Sequence, residues 1–200
     1  MGFRAIFAIF VLLKEKSITM KRFLTSLLAL TLAVAAFAQN SPKQHTLVAY
    51  FSATGKTEAV ARDLAEVTGA TLYEIKPEVK YTADDLDYRN RQSRSTAEMQ
   101  NPDSRPAFIQ DLENADSYDV IFIGFPIWWN TAPRIVNSFI EAYGFAGKTV
   151  ILFATSGSSN LNNANEVFAA AYPAINWKAG KTLNGASKDE IKAWADEAVR

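Results

Sequence analysis

The sequence predicts an α/β domain in which a doubly wound, five-stranded parallel sheet carries helices on both faces. From residue 46 onward, short apolar runs alternate with segments of helical periodicity. The apolar runs are hydrophobic throughout rather than at every second position, which is typical of strands buried on both faces. Residues 39–200 are enough chain for one such domain and not for two.

Each element has its own signal. The predicted strands are residues 47–51, 70–75, 120–124 and 149–154, with a fifth at 177–183 that Gly180 interrupts. Four helices are predicted. The first has Val60, Leu64 and Val67 on its buried face and ends at Gly69, and the second starts at Pro133 and ends at Gly144. The third covers residues 163–172, and the fourth begins with a capping box at residues 187–190. In such a sheet, ligands bind at the carboxyl ends of the strands.

Composition excludes several kinds of chemistry. The chain has no cysteine, so disulfides, thiolate nucleophiles, iron–sulfur clusters and cysteine-ligated zinc are ruled out. Its single histidine, His45, lies before the first predicted strand and is expected to be a linker residue, which argues against a Ser-His-Asp triad. We expect no metal site, because cysteine is absent and there is only one histidine. We expect no nucleic-acid partner, because 21 basic residues balance 21 acidic ones. Any reactive group is expected to come from a bound cofactor.

The first 38 residues have the composition of an export signal. They carry five basic residues and one acidic residue, and Lys21 and Arg22 precede an apolar run that ends at Ala36, Phe37 and Ala38. A basic end, a short apolar middle and small residues at the cleavage site define a secretory signal, with cleavage expected after Ala38. Met20 is a possible true start, and an uncleaved membrane anchor is the alternative. Residues 39–45 are interpreted as a linker to the domain at 46–200, and the mature protein as secreted or periplasmic.

The loop after the first strand is suited to phosphate. Residues 52–57 combine three hydroxyl side chains with the start of a helix, whose free N–H groups attract anions. Gly55 lets the backbone approach the anion closely. The P-loop motif is absent because Tyr50 occupies the position of its first glycine, and the Rossmann glycine pattern is absent as well. A plain helix cap is the structural alternative to a monophosphate site.

Three loops together resemble those of the flavodoxins. The Ser-x-Thr-Gly-x-Thr pattern at residues 52–57 is similar to the flavodoxin loop that binds the phosphate of FMN. It is followed, after the third and fourth strands, by Pro-Ile-Trp-Trp at 126–129 and by Thr-Ser-Gly-Ser at 155–158. The resemblance covers residues 46–200 and indicates the subgroup with two adjacent tryptophans in its second flavin loop.

The resemblance implies FMN as the cofactor and assigns residues to it. The phosphate would be held by the first loop, the isoalloxazine would be lined by the second, and its polar edge would meet the third. One tryptophan is expected at the ligand and the other in the core. Lys56 departs from the asparagine of many flavodoxins, which leaves its effect on the flavin potential open. The implied cofactor-binding residues are Ser52, Ala53, Thr54, Gly55, Lys56, Thr57, Pro126, Ile127, Trp128, Trp129, Asn130, Thr131, Ser156, Gly157 and Ser158.

The polar segment 76–107 is expected to be a solvated loop with local turns. Alternatively, one of its tyrosines covers the flavin, and Arg89, Arg91 and Arg94 meet an acidic partner. Asp84, Asp85 and Asp87 lack the other oxygens of a calcium loop.

The resemblance implies an electron-transfer protein whose partner is a redox protein or a small quinone-like acceptor. Membrane contact is expected only through an uncleaved leader. One alternative is a flavin-dependent NAD(P)H:quinone or nitro-compound reductase, and another is a binding module that has lost its flavin.

Overall fold

A computed structural model describes residues 44–200, which form the predicted sheet. The five strands run β1 Thr46–Tyr50, β2 Thr71–Glu74, β3 Val120–Pro126, β4 Thr149–Thr155 and β5 Asn176–Thr182. They lie in the order β2-β1-β3-β4-β5, and every neighbouring pair is parallel. The predicted leader at 1–38, its cleavage site and most of the linker lie outside the described residues.

Four helices lie between consecutive strands, and a fifth follows β5. They are α1 Lys56–Thr68, α2 Arg94–Gln100, α3 Arg134–Tyr143, α4 Asn162–Ala171 and α5 Lys188–Ala198. The predicted helix ends at Gly69 and Gly144 are confirmed, as is the capping box that Ser187 and Glu190 form. Pro133 directly precedes α3 instead of forming its first residue.

Two apolar layers bury the sheet. Along β1, Leu47 and Ala49 belong to the layer that α3 and α4 cover, whereas Val48 and Tyr50 belong to the layer that α1 and α5 cover. This alternation follows from the two-residue period of a strand. In α1 the buried residues are Thr57, Ala61, Leu64 and Ala65. Val60 and Val67 of the predicted stripe are only partly buried, so the buried face is displaced from the predicted one.

All five strands differ from their predicted bounds by one or two residues, and β3 is extended the most. β3 continues through Phe125 and Pro126, which pair with Ala154 and Thr155, so the prediction that these two residues belong to a loop was wrong. Their partner strand β4 is long enough to accept both, and proline is tolerated where a ladder ends. β5 forms despite Gly180, where the pairing with β4 shifts register. A side chain at Gly180 would collide with the Leu152 carbonyl oxygen, so only glycine lets the strands approach there.

The expectation of a solvated loop over 76–107 was wrong for its second half. α2 forms there, capped by Ser93, whose side-chain oxygen accepts a hydrogen bond from the Thr96 N–H. Ser93, Ser95, Thr96 and Met99 are buried. The segment escapes prediction because three of these four buried residues are hydroxyl residues, which carry no apolar periodicity. We refer to residues 76–107 as the insertion.

Within residues 44–200, no helix combines the length and the apolar character needed to cross a membrane. His45 is exposed, and its backbone N–H donates to the Asp119 carboxylate at 3.1 Å.

Candidate functional site at the carboxyl edge of the sheet

The loops singled out in the sequence meet where the strand order reverses. The chain runs from β1 outward to β2 and then returns to β3 on the other side of β1. In doubly wound sheets this switch point opens a crevice at the carboxyl edge, and ligands bind there. The loops after β1, β3 and β4 all end in this crevice.

The loop after β1 leaves the amino end of α1 open. Gly55 stands directly before α1 with φ of 83°, a left-handed conformation that L side chains adopt with strain, and it has no side chain to cap the helix. The Gly55 N–H donates to the Ser52 hydroxyl oxygen at 3.1 Å, which closes the loop into a turn. The first helical bond joins the Ala59 N–H to the Gly55 carbonyl oxygen at 3.1 Å. The N–H groups of residues 56–58 therefore precede the helix ladder and can receive an anion.

Thr57 connects this loop to the end of β4. It is 1% exposed, and its hydroxyl oxygen lies 2.8 Å from that of Thr155, a buried hydrogen bond in which either can donate. The side chain of Thr57 thus fixes the start of α1 to the carboxyl end of β4.

The loop after β3 is a tight turn. Trp128 and Thr131 exchange two backbone hydrogen bonds of 2.9 Å each. The two residues between them, Trp129 and Asn130, have φ of 44° and 63°. Positive φ at both central positions is the mark of a type I′ turn and is unusual for tryptophan. The Asn163 side chain donates to the Asn130 carbonyl oxygen at 2.8 Å and ties the turn to α4.

The two tryptophans of this turn have different surroundings. Trp128 is partly buried and makes edge-to-face contacts with Phe51 and Tyr81, with ring centroids 5.6 and 5.4 Å away. Trp129 is 46% exposed. One tryptophan is therefore packed against protein and the other is turned toward solvent at the rim of the crevice.

Tyr81 brings the insertion into the site. Its hydroxyl donates to the Glu98 carboxylate at 2.6 Å, and the Arg94 guanidinium lies 4.0 Å from its ring centroid. Arg94 also pairs with Glu98 at 2.7 Å. Burial, followed by the hydrogen bond to Glu98, raises the pKa of Tyr81 well above its usual range. These contacts fix α2 to the aromatic residues beneath the second loop.

The loop after β4 is held by a residue that lies beyond β5. The Ser156 N–H donates to the Asn184 side-chain oxygen at 2.8 Å, and the Asn184 amide donates back to the Ser156 carbonyl oxygen. The Ser156 hydroxyl accepts from the N–H groups of Ser158 and Ser159 at 3.2 and 2.8 Å. This loop therefore has a defined backbone conformation.

Two clefts open at this edge and share one wall. The first has a volume of about 630 Å³, and the second has a volume of about 400 Å³. Both are in the range of small-molecule sites. Ile127 and Trp128 on one side and Ser156 and Gly157 on the other line both clefts.

The first cleft extends from the amino end of α1 to this shared wall. Thr54 and Lys56 line it at the α1 end, and Ala186 lines it just before α5. Asp63, which lies 3.4 Å from the Lys188 ammonium, also lines it. Anion-binding N–H groups at one end and an apolar, aromatic wall at the other suit a flat ligand with a phosphate tail.

The predicted cofactor-binding residues do not all line the same cleft. Thr54, Lys56, Pro126, Ile127, Trp128, Ser156 and Gly157 line the first cleft, and Trp129 and Ser158 line the second. Ser52, Ala53 and Gly55 line a smaller cleft of about 250 Å³ on the other side of the first loop. Asn130 and Thr131 complete the second turn without lining these three clefts.

Sequence reasoning missed several lining residues. Asn184 follows β5, and Asp63 lies two turns into α1, so neither belongs to a recognisable motif. Leu86, Tyr88 and Ser95 come from the insertion. Of these three, only Tyr88 had a signal in the sequence, as one of the two insertion tyrosines considered as a cover for the flavin, and it is 68% exposed. Among residues 44–200, no cluster of three or more histidine, aspartate or glutamate side chains is placed to hold a metal ion.

The fold and the site define a doubly wound α/β protein with a cleft at the switch point and, after β1, a helix amino end that no side chain caps. A flavodoxin family model matches residues 45–198. The chain therefore belongs to the flavodoxin family. The subgroup with adjacent tryptophans stays a prediction.

Solved structures agree with this assignment. A protein from Bacteroides uniformis assigned as a flavoprotein is 55% identical, with a TM-score of 0.74 over 76% of this chain and 98% of its own. A similarly assigned protein from Bacteroides eggerthii is 49% identical, with a TM-score of 0.76 over 78% and 98%. A flavoprotein from Lactobacillus acidophilus, in complex with FMN, shares the fold at 21% identity, with a TM-score of 0.62 over 78% and 99%. No curated protein matches the chain at a significant level.

Proposed function

We propose that this chain is an FMN-binding electron-transfer protein that works after export. The observation that carries the proposal is the open amino end of α1 in the first cleft, where three N–H groups precede the helix ladder behind a glycine that cannot cap them. Membership of the flavodoxin family supports FMN as the ligand.

The residues of the first cleft fit the parts of FMN. The N–H groups of residues 56–58 would bind the phosphate, and Lys56, which lines the cleft beside them, would add a positive charge. Trp128 and Ile127 would form the apolar wall for the ring system, and the backbone of Ser156 and Gly157 would face its polar edge. Bound FMN supplies the electron chemistry, while the protein supplies binding, orientation and exclusion of water.

The exchange partner is either a redox protein or a small quinone-like acceptor. Residues 39–200 carry 16 basic and 20 acidic residues, and this mild acidity supports weak, salt-sensitive docking to a basic protein. A flavin-dependent NAD(P)H:quinone or nitro-compound reductase is the alternative hypothesis from the sequence.

Export rests on the sequence of residues 1–38 alone. Its test is to express the full chain in a bacterium, separate the exported fraction and determine its amino-terminal residue. Cleavage after Ala38 would place Gln39 first. A protein retained in the cells with its leader intact would contradict export and leave FMN binding untouched.

The test of the cofactor is direct. We expect the purified protein to be yellow and to release FMN, identified by chromatography after denaturation. A colourless protein that also fails to take up added FMN would overturn the proposed function. Assays of NAD(P)H oxidation with quinones then separate a reductase from a carrier.

A further inference from the structure

The residue that holds the loop after β4 is also the most reactive asparagine of the chain. Asn184, whose side chain binds both backbone polar groups of Ser156, is directly followed by Gly185. No other asparagine in the sequence precedes a glycine. An asparagine side chain can close a five-membered ring with the backbone nitrogen of the next residue, and asparagine is accordingly a thermally labile residue. Ring closure is fastest before glycine, because glycine has no side chain to hinder the attack.

Asn184 and Gly185 are the central residues of an exposed turn. The Ala186 N–H donates to the Leu183 carbonyl oxygen at 3.3 Å, and the two residues between them are both exposed. Gly185 has φ of 63°, and a side-chain carbon placed on it would meet no atom within 4 Å. A ring that joins the two residues therefore has open space around it, and water reaches both of them.

The nitrogen that would attack is not engaged in a hydrogen bond. In the part of the chain that the structure describes, the Gly185 N–H has no acceptor. Asn176, at the opposite end of β5, is exposed as well, but it is followed by a bulky residue. There the Trp177 N–H donates to the Ile175 carbonyl oxygen at 3.1 Å. The two exposed asparagines thus differ in the group that would attack them.

We propose that Asn184 is a modification site, at which spontaneous deamidation alters the loop after β4. The Gly185 nitrogen loses its proton and forms a bond to the side-chain carbonyl carbon of Asn184. The bond from that carbon to the side-chain nitrogen breaks, and ammonia leaves. Water then opens the cyclic imide at either carbonyl carbon, which yields aspartate or isoaspartate. The net reaction consumes one water and releases one ammonia, and it needs no oxidant or reductant.

The conversion breaks one of the two bonds that hold the loop. The Asn184 side chain accepts from the Ser156 N–H at 2.8 Å and donates to the Ser156 carbonyl oxygen. A carboxylate keeps the first bond but has no proton to donate, so its second oxygen faces the Ser156 carbonyl oxygen as one acceptor against another. Asn184 also lines the first cleft, so the conversion adds a negative charge there. Isoaspartate further lengthens the main chain between β5 and α5 by a methylene group.

The chemical step depends on Asn184 and Gly185 alone, whereas its effect on the cofactor rests on the proposed function. With FMN in the first cleft, the loop loses a hydrogen bond and an anionic ligand gains a negative neighbour. FMN binding should therefore weaken about two- to tenfold. The modification converts the protein slowly into a weaker flavin binder.

The test of the modification is a time course on the purified protein in mildly alkaline buffer. Trypsin cleaves after Lys181 and Lys188 and yields the peptide 182–188, in which Asn184 is the only asparagine. Mass spectrometry follows the replacement of its amide, and chromatography separates the two products. We expect this peptide to convert while Asn176 stays intact. The rate should rise with pH, because the attacking nitrogen must lose its proton.

Two variants and a matched control test the residue and its effect. Asn184→Gln keeps an amide but would have to close a larger ring, so it should stay unconverted. Asn184→Asp reproduces one product and should show the weakened FMN affinity in a fluorescence titration. Asn176→Asp is the matched control, since it adds the same charge at the opposite end of β5. It should leave FMN affinity unchanged.

The modification and the flavin site fail separately. An unconverted 182–188 peptide, a rate no higher than at Asn176, or a rate that does not rise with pH would overturn the modification site. Full FMN affinity in Asn184→Asp would overturn its effect on the cofactor. If the protein takes up no FMN, the proposed function fails, and the peptide time course still decides the modification because it requires no flavin.

Discussion

Two helices begin beside the first cleft, and their amino ends are finished in opposite ways. At α5, the Ser187 hydroxyl accepts from the Glu190 N–H, and the Glu190 carboxylate accepts from the Ser187 N–H at 2.8 Å. At α1, Gly55 stands in the capping position and provides no side chain. The chain thus satisfies free donors of one helix with a side chain and leaves those of the other without a side-chain cap.

The comparison teaches that a ligand site can arise from the omission of an ordinary stabilising contact. A side-chain cap stabilises a helix by about 1 kcal/mol. α1 lacks this stabilisation, and a phosphate bound at its amino end would provide the missing hydrogen-bond acceptors.

The largest effect is expected when α1 is given a side-chain cap. Gly55→Asp places a carboxylate at the amino end of α1, and aspartate tolerates positive φ better than most residues. We expect FMN affinity to fall about a hundredfold, because the carboxylate occupies the donors and repels the phosphate. Fluorescence titration of the flavin-free protein with FMN measures this.

Gly55→Asn is the matched control, since it caps without charge and should weaken FMN binding less than Gly55→Asp. Retention of full FMN affinity in Gly55→Asp would place the phosphate elsewhere.

Thr57 tests the anchoring of the first turn of α1. Thr57→Val should destabilise the protein by about 1–3 kcal/mol, because the buried Thr155 hydroxyl loses its partner. The free energy of unfolding in urea measures this loss. Replacing both threonines with valine should recover most of the stability, since no buried hydroxyl is then left without a partner. A double variant as unstable as the single one would show that the hydrogen bond is not the cause.

Removing the cap of α5 should change stability but not FMN affinity. Ser187→Ala should cost about 1 kcal/mol of stability and leave FMN affinity unchanged. Urea unfolding and FMN titration on the same preparation separate the two effects. A parallel loss of FMN affinity would show that α5 contributes to the flavin site.

The cap of α5 also implies a pH dependence. Hydrogen bonds from the Ser187 N–H and hydroxyl lower the pKa of Glu190 from its ordinary value of 4.5. A lowered pKa stabilises the fold above the ordinary pKa, and this contribution is lost as the pH falls through the lowered value. Glu190→Gln should therefore flatten the fall in stability as the pH drops below about 5. A variant with the wild-type acid dependence would assign that dependence to other carboxylates.

The smallest effect concerns the first lysine of each helix. Lys56→Gln should weaken FMN binding about two- to fivefold, with less salt dependence, if its ammonium faces the phosphate. Lys188→Gln is the counterpart at α5, where Lys188 pairs with Glu66 at 2.7 Å. FMN titrations at low and high salt should show no change for Lys188→Gln. Equal effects of both substitutions would indicate a general charge effect.

Much of the fold and the core of the site could be predicted because the relevant signals are local. Apolar runs such as residues 120–124 predict buried strands, and Gly69 and Gly144 predict helix ends, because strand burial and helix capping depend on a few neighbouring residues. The three loops could be brought together from the sequence because parallel strands place their carboxyl ends at one edge.

The rest depended on contacts between distant segments. The buried residues of α2 include hydroxyl residues such as Ser95, so its sequence lacks the apolar periodicity that would predict a helix. Asn184 reaches Ser156 across 28 positions of the chain. Nothing local tells which of the adjacent tryptophans is packed, since the answer comes from Tyr81 and Phe51 lying beside Trp128.

Hydrophobic pattern and residues adjacent in the chain were enough to predict the α/β architecture and the edge of the sheet where the three loops meet. That this edge holds two clefts with one common wall, and that no charged side chain lines the second, depends on tertiary packing. The lining of the second cleft comes from the insertion, the second loop and the third loop, and their juxtaposition is set by side-chain packing.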